Sequence, residues 1–149
     1  MIEKSRRSLL KGAVAAAAVA TAAEAQTSGA PQKKVYRAGP KPATPPLFSP
    51  AVTFGGLLFI AGMNSRMITD VKAGTEAVLT DIRKQLEASG SSMEKVLKVT
   101  VFLVDMNDFA AMNSAYVGKF GDDPPVRTTV AVAALPGGAK VEIDCIASL

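Results

Sequence analysis

The chain has 149 residues, 48% of them hydrophobic and 20% charged, with a formal net charge of +4, one cysteine and no histidine. Without imidazole there can be no Ser-His-Asp triad, Cys-His pair, HExxH zinc helix or histidine-held haem, and one cysteine excludes internal disulfides, CxxC redox pairs and thiolate metal clusters. Chemistry must therefore come from carboxylates, guanidinium or ammonium groups, hydroxyls, backbone dipoles and water, in a length that suits one domain.

Residues 1–25 read as an address. Arg6-Arg7 precede an apolar run from Ala13 to Ala23, and an Ala-x-Ala site follows at Ala23-Glu24-Ala25, the three-part form of an export signal. The run is 11 residues long, against about 20 needed to span a bilayer as a helix, so no stable membrane anchor is expected. The segment resembles a twin-arginine signal, with Leu9 where phenylalanine is usual, and implies export, periplasmic location and cleavage after Ala25. Such cleavage removes Lys4, Arg6, Arg7 and Lys11 with Glu3 and Glu24, leaving 13 basic against 11 acidic residues, a net of +2. Only Lys33, Lys34 and Arg37 hint at a basic cluster, so no nucleic-acid partner is expected.

Residues 26–46 form a polar, proline-rich arm. Pro40, Pro42, Pro45 and Pro46 each fix φ and remove a donor, which predicts an extended segment rather than a regular element. From residue 47 the chain reads as one domain, 47–149. Ala51–Phe54 and Leu57–Ala61, joined by Gly55-Gly56, predict a hairpin. Val71, Thr75, Val78, Leu79, Ile82 and Leu86 then recur at helical spacing, with Asp70 as N-cap and Gly90 as the stop. Val96 to Leu103 is β-branched and apolar, as an interior strand requires. A second helix, capped by Asn107 or Asp108, would present Phe109, Met112, Tyr116 and Phe120 on one face. Thr128–Ala134 and Lys140–Ala147, around Pro136-Gly137-Gly138, predict a second hairpin.

The order β-β-α-β-α-β-β is an α+β sandwich, two helices on one face of a single mixed sheet. The uncovered apolar face predicts burial by oligomerisation. Cys145, inside an apolar strand, reads as a small buried hydrophobe.

Few residues can carry chemistry. Arg127 opens a strand behind Pro124-Pro125, where its fork suits bidentate capture of a carboxylate; a solvated surface arginine, or a pair with Asp122 or Asp123, is the competing reading. Glu142 and Asp144 share one face of an apolar strand, the pattern either of carboxylates beside a wet cavity or of an edge strand's solvent face. A metal held by these two lacks further ligands, and no cofactor is implied. Asn113 and Tyr116, three apart on the second helix, can line a cleft, with a half-buried helix face the favoured reading of Tyr116. Phe48 plugs the core or rims a pocket, and Gly137-Gly138 reads as a turn rather than an anion loop, since no helix follows.

Ser49-Pro50-Ala51-Val52, the run Gly55 to Gly62, VFLVDMNDFAAMNSAY (Val101 to Tyr116) and PVRTTVAVAALPGGAKVEIDCIA (Pro125 to Ala147) resemble the RidA (YjgF) family. The last block is the specific part, with its arginine and glutamate 15 positions apart. The resemblance implies a chorismate-mutase-like fold, a homotrimer with clefts between subunits, and hydrolysis of reactive 2-imino acids to 2-keto acids and ammonia. It implies that Arg127 binds the substrate carboxylate and Glu142 positions the attacking water, with Phe48, Ala61, Gly62, Asn113 and Thr129 around the substrate. This converges with the residue-level reading, because an imine carbon is already electrophilic and needs only a clamp and a placed water. The chain departs from the family at several points. Phe48 replaces a common tyrosine, Ala61 a serine, Thr129 an occasional cysteine and Gly74 a frequent glutamine, and the segment Met63 to Asp70 is short. The alternative is a trimer of the same fold that binds small carboxylates without turnover.

Overall fold

The computed structural model describes residues 30–37, 39–66 and 68–149; the expected leader lies outside them. Six strands, β1 (Lys34–Tyr36), β2 (Ala51–Phe54), β3 (Leu57–Asn64), β4 (Val96–Leu103), β5 (Val126–Ala131) and β6 (Val141–Ser148), form one sheet in the order β1-β2-β3-β6-β4-β5. All neighbours are antiparallel except β4 and β5. Helix α1 (Val71–Ala88) links β3 to β4, and α2 (Phe109–Tyr116) makes the crossover that a parallel β4–β5 pair requires. The expected mixed sheet with two helices is the architecture found.

Local chemistry explains most element ends. Gly55 and Gly56 both have positive φ, at 58° and 81°, as the two-residue turn between β2 and β3 demands. The Asp70 carboxylate accepts from the Ala73 N–H at 2.7 Å and caps α1. At the other end Gly90 turns to φ 85°, and the Ser91 N–H donates back to the Leu86 carbonyl. The residues expected on the inner face of α1 are all buried, joined by Gly74.

Five expectations are corrected. The arm is not wholly irregular, because Lys34–Tyr36 pairs with β2 as an edge strand ahead of the prolines. Helix α2 ends at Tyr116, and Phe120 reaches the core from the following turn; Asp105, not Asn107 or Asp108, supplies the side-chain cap, to the short 3-10 turn before the helix. The strand expected at Thr128–Ala134 runs from Val126 to Ala131, and β5 and β6 are not a hairpin, since β4 lies between them. Pro136–Gly138 reverses the chain, but β6 crosses the sheet end to the slot between β3 and β4, where it pairs on both sides. A turn sequence fixes a reversal, not a pairing partner.

The core lies between sheet and helices. Val141, Ile143, Cys145 and Ala147 alternate inward along β6 and meet Leu58, Ile60, Val99 and Val101 from neighbouring strands and Val78, Leu79, Ile82, Leu86 and Met112 from the helices. Glu142, Asp144 and Ile146 face the opposite, uncovered side, beside Phe59 and Phe102 on adjacent strands. Phe59 and Leu57 are each 37% exposed there, an apolar surface of the kind that marks an interface.

Candidate active site

Arg127 stands second in β5, aligned with the buried Val99 of β4. It therefore projects on the helix side of the sheet edge. Its Nη2 donates to Asn113 Oδ1 at 2.7 Å, and its Cζ lies 4.5 Å from the centre of the Tyr116 ring and 5.7 Å from that of Phe109. One amide and two aromatic faces thus hold the guanidinium plane. Among the described residues the one ion pair is Lys84–Asp81, so neither Asp122 nor Asp123 neutralises Arg127. The arginine lines a cavity of about 430 Å³ with Asn113, Tyr116, Phe120 and Asp122. Thr129 follows two residues along the same face, its Oγ1 buried without a hydrogen-bond partner among the described residues; the Tyr116 hydroxyl is in the same condition. Burial pushes the Tyr116 phenol up to about 12, against the opposing pull of Arg127, so it remains a donor at neutral pH.

Glu142 occupies the other face. It is aligned with Phe102 across β4 and with Asn64 across β3. A bulge makes the second pairing possible: between Ile60 and Met63, β3 spends one residue more than β6, which shifts Asn64 onto the face of Glu142. Asn64 Nδ2 then donates to Glu142 Oε2 at 2.9 Å. Gly62, in the bulge, gives the carboxylate its room, since a Cβ there would lie 2.5 Å from Glu142 Oε1. Glu142 lines a second cavity, about 420 Å³, with Leu47, Phe48, Ala61, Gly62, Asn64, Arg66 and Pro136. Phe48 is 65% exposed, so it rims this cavity and does not plug the core.

The expected site residues thus fall into two sets. Arg127, Asn113 and Thr129 share one face; Phe48, Ala61, Gly62 and Glu142 share the other. A single chain does not bring the arginine and the glutamate together.

A sequence profile of the family described as endoribonuclease L-PSP matches residues 38–149. The chain belongs to this family. A RutC family protein of Pyrococcus horikoshii is 44% identical over 115 residues, 72% of this chain and 90% of that protein. The chloroplastic Reactive Intermediate Deaminase A of Arabidopsis thaliana is 35% identical over 125 residues, 79% of this chain and 67% of that protein. Among solved structures, RidA from a Psychrobacter species matches with a TM-score of 0.67 at 35% identity, covering 72% of this chain and 93% of that one. A Rid-family protein of unknown function from Yersinia pestis matches at 0.72 and 32%, covering 79% and 100%.

Within this endoribonuclease L-PSP fold two cavity-lining residues, Asn64 and Arg66, escaped the sequence reading, and the favoured reading of a third, Tyr116, was incomplete. Tyr116 is buried, as expected of a helix face, yet its ring supports the Arg127 guanidinium and lines the cavity. Asn64 and Arg66 lie just after the Gly62 bulge; a polar segment there was the available signal, but the pairing of Asn64 with Glu142 depends on the bulge register. Cys145 is confirmed as a buried hydrophobe: it is 2% exposed, and burial pushes its thiol up to about 12. Asp144, on the face of Glu142, does not line that cavity.

Proposed function

We propose that the protein hydrolyses 2-imino acids to 2-keto acids and ammonia, at sites where the Arg127 cavity of one subunit meets the Glu142 cavity of the next in a homotrimer. The observation that carries this reading is the division of the groups: an arginine without a carboxylate partner among the described residues on one face, and on the other a carboxylate oriented by Asn64 and Gly62. Each half lacks what the other offers. The apolar uncovered face beside Glu142 supplies surface for the assembly. The chloroplastic deaminase among the relatives supports the reaction class.

Arg127 would pair with the substrate carboxylate, Asn113 holding the guanidinium in plane. Glu142 would accept a hydrogen bond from water and aim its oxygen at the imine carbon. Addition forms the C–O bond and moves the C=N electron pair to nitrogen, and the glutamate carries the proton from water to that nitrogen. Collapse of the carbinolamine transfers the hydroxyl proton to nitrogen, forms the C=O bond and breaks the C–N bond, which releases ammonia. The imine carbon is already activated, so alignment of clamp and water is most of what is needed. One guanidinium in a cavity of this size suits a small carboxylate; a nucleic-acid strand calls for a basic track and stacking platforms.

The test is keto-acid release from imino acid generated in situ by an amino-acid oxidase. Arg127→Ala should lower kcat/KM by about 100-fold or more. A rate equal to that of buffer in the wild-type protein ends the proposal. The second reading, carboxylate binding without turnover, is favoured by the apolar Phe48 and Ala61 in the Glu142 cavity. Glu142→Gln separates the two: turnover collapses in the first, and binding persists in both. We also infer export from Arg6-Arg7 and the Ala23-Glu24-Ala25 site. Processing should stop when Arg6 and Arg7 are both replaced by lysine, and continued cleavage would exclude a twin-arginine route.

A further inference from the structure

Arg66 introduces a second guanidinium at the cavity that Glu142 lines. Its position is built into the chain at two points. The Ile68 N–H donates to the Ser65 carbonyl at 3.1 Å and closes a turn around Arg66. Across the cavity rim, Gly137 (φ 68°) lies under the stem of Arg66, where a Cβ would approach its Cγ and Cδ to 3.0 Å. Positive φ favours glycine at 137, and a Cβ there would push the stem of Arg66 aside by a few tenths of an ångström. The turn and Gly137 thus place the exposed Arg66 at the rim, and among the described residues it makes no ion pair with Glu142. A cation without a carboxylate partner among the described residues, beside a carboxylate already engaged by Asn64, is a site for an anion brought by the ligand.

We propose that Arg66 is a specificity-determining residue that receives a distal carboxylate, so that the preferred substrates are dicarboxylic 2-imino acids. This rests on the imine-hydrolysis reading, in which Arg127 of the adjoining subunit holds the carboxylate next to the reacting carbon and Glu142 holds the water. The two guanidinium groups then take opposite ends of one substrate. The distal carboxylate passes unchanged through the reaction, which still consumes one water and releases one ammonia.

The experiment compares imino acids generated in situ from glutamate and from 2-aminobutanoate, using the assembled protein. Wild type should favour the dicarboxylic substrate in kcat/KM by about tenfold or more, the worth of one charge-assisted contact. Arg66→Gln should bring the two within about twofold, mainly through KM, and Arg66→Lys should retain a preference. In parallel, calorimetry measures binding of 2-oxoglutarate and 2-oxobutanoate to wild type and Arg66→Gln. Arg66-dependent preference for 2-oxoglutarate without turnover of either imine would uphold the subsite and overturn the reaction. Turnover of both substrates with a ratio that Arg66→Gln leaves unchanged would overturn the subsite alone. An equal loss on both substrates would make Arg66 a clamp for the common carboxylate and also overturn it.

Discussion

Gly62 shows how one missing side chain sets the position of a functional group. A Cβ at 62 would meet Glu142 Oε1 at 2.5 Å and its Cδ at 3.0 Å. What must yield is the free end of a side chain rather than backbone, so Gly62→Ala should leave the fold intact while displacing the carboxylate. A misplacement of about 1 Å is worth roughly 100-fold in rate, and that is the expected loss in kcat. Steady-state kinetics with a thermal melt of the same preparation checks it; normal turnover in a folded variant would remove Glu142 from the reaction. At this scale much of the site was legible. Arg127 and Glu142 stood out because a guanidinium behind Pro-Pro and a carboxylate in an apolar strand each need a reason. Asn64 did not, because an asparagine between Met63 and Ser65 looks like any loop residue until the bulge aligns it with Glu142.

Elements were read best where one short-range signal sufficed. Asp70, three residues before the N–H it receives, marked the start of α1 without knowledge of anything distant. Removing it by Asp70→Ala should cost about 1 kcal/mol, seen as a lower urea midpoint at fixed protein concentration; an unchanged midpoint would mean that solvent serves Ala73 N–H equally well. Period-2 alternation likewise identified β6 as a strand with Glu142 on one face. The supposed β5–β6 hairpin failed because proximity in sequence is a weak guide once a third strand can enter. β6 buries Val141, Ile143 and Cys145 on one side and gains two pairing partners between β3 and β4. Pairing beside β5 would give it one.

For the molecule as a whole, the strongest prediction concerns sharing. If Arg127 and Glu142 act from different subunits, neither Arg127→Ala nor Glu142→Gln trimers should turn over, but random mixed trimers should regain about one quarter of wild-type activity, since one interface in four then carries both intact groups. Refolding the two variants together and assaying the mixture measures this, and no recovery would confine the site to one chain. A second prediction concerns alkaline pH. Burial raises Cys145 from 9.0 and Tyr116 from 10.0, each to about 12. The folded state therefore holds these protons more tightly than the unfolded chain does. The resulting stability is full below about pH 9 and declines through pH 12, by up to about 1.4 kcal/mol per unit for each group. Urea titrations at pH 8 and pH 11 should differ, and Cys145→Ala should remove one share of the difference.

The absence of histidine, the cap of α1, the strand periods and the identity of the two chemical groups were all determined by sequence alone, because each depends on composition or on neighbours a few residues away. The tertiary structure decided that β6 lies at the centre of the sheet, that a bulge aligns Asn64 with Glu142, and that Arg127 and Glu142 occupy opposite faces. These are matters of register and strand order, set by which pairing buries the most surface and satisfies the most backbone groups over the whole chain. No local segment contains that comparison.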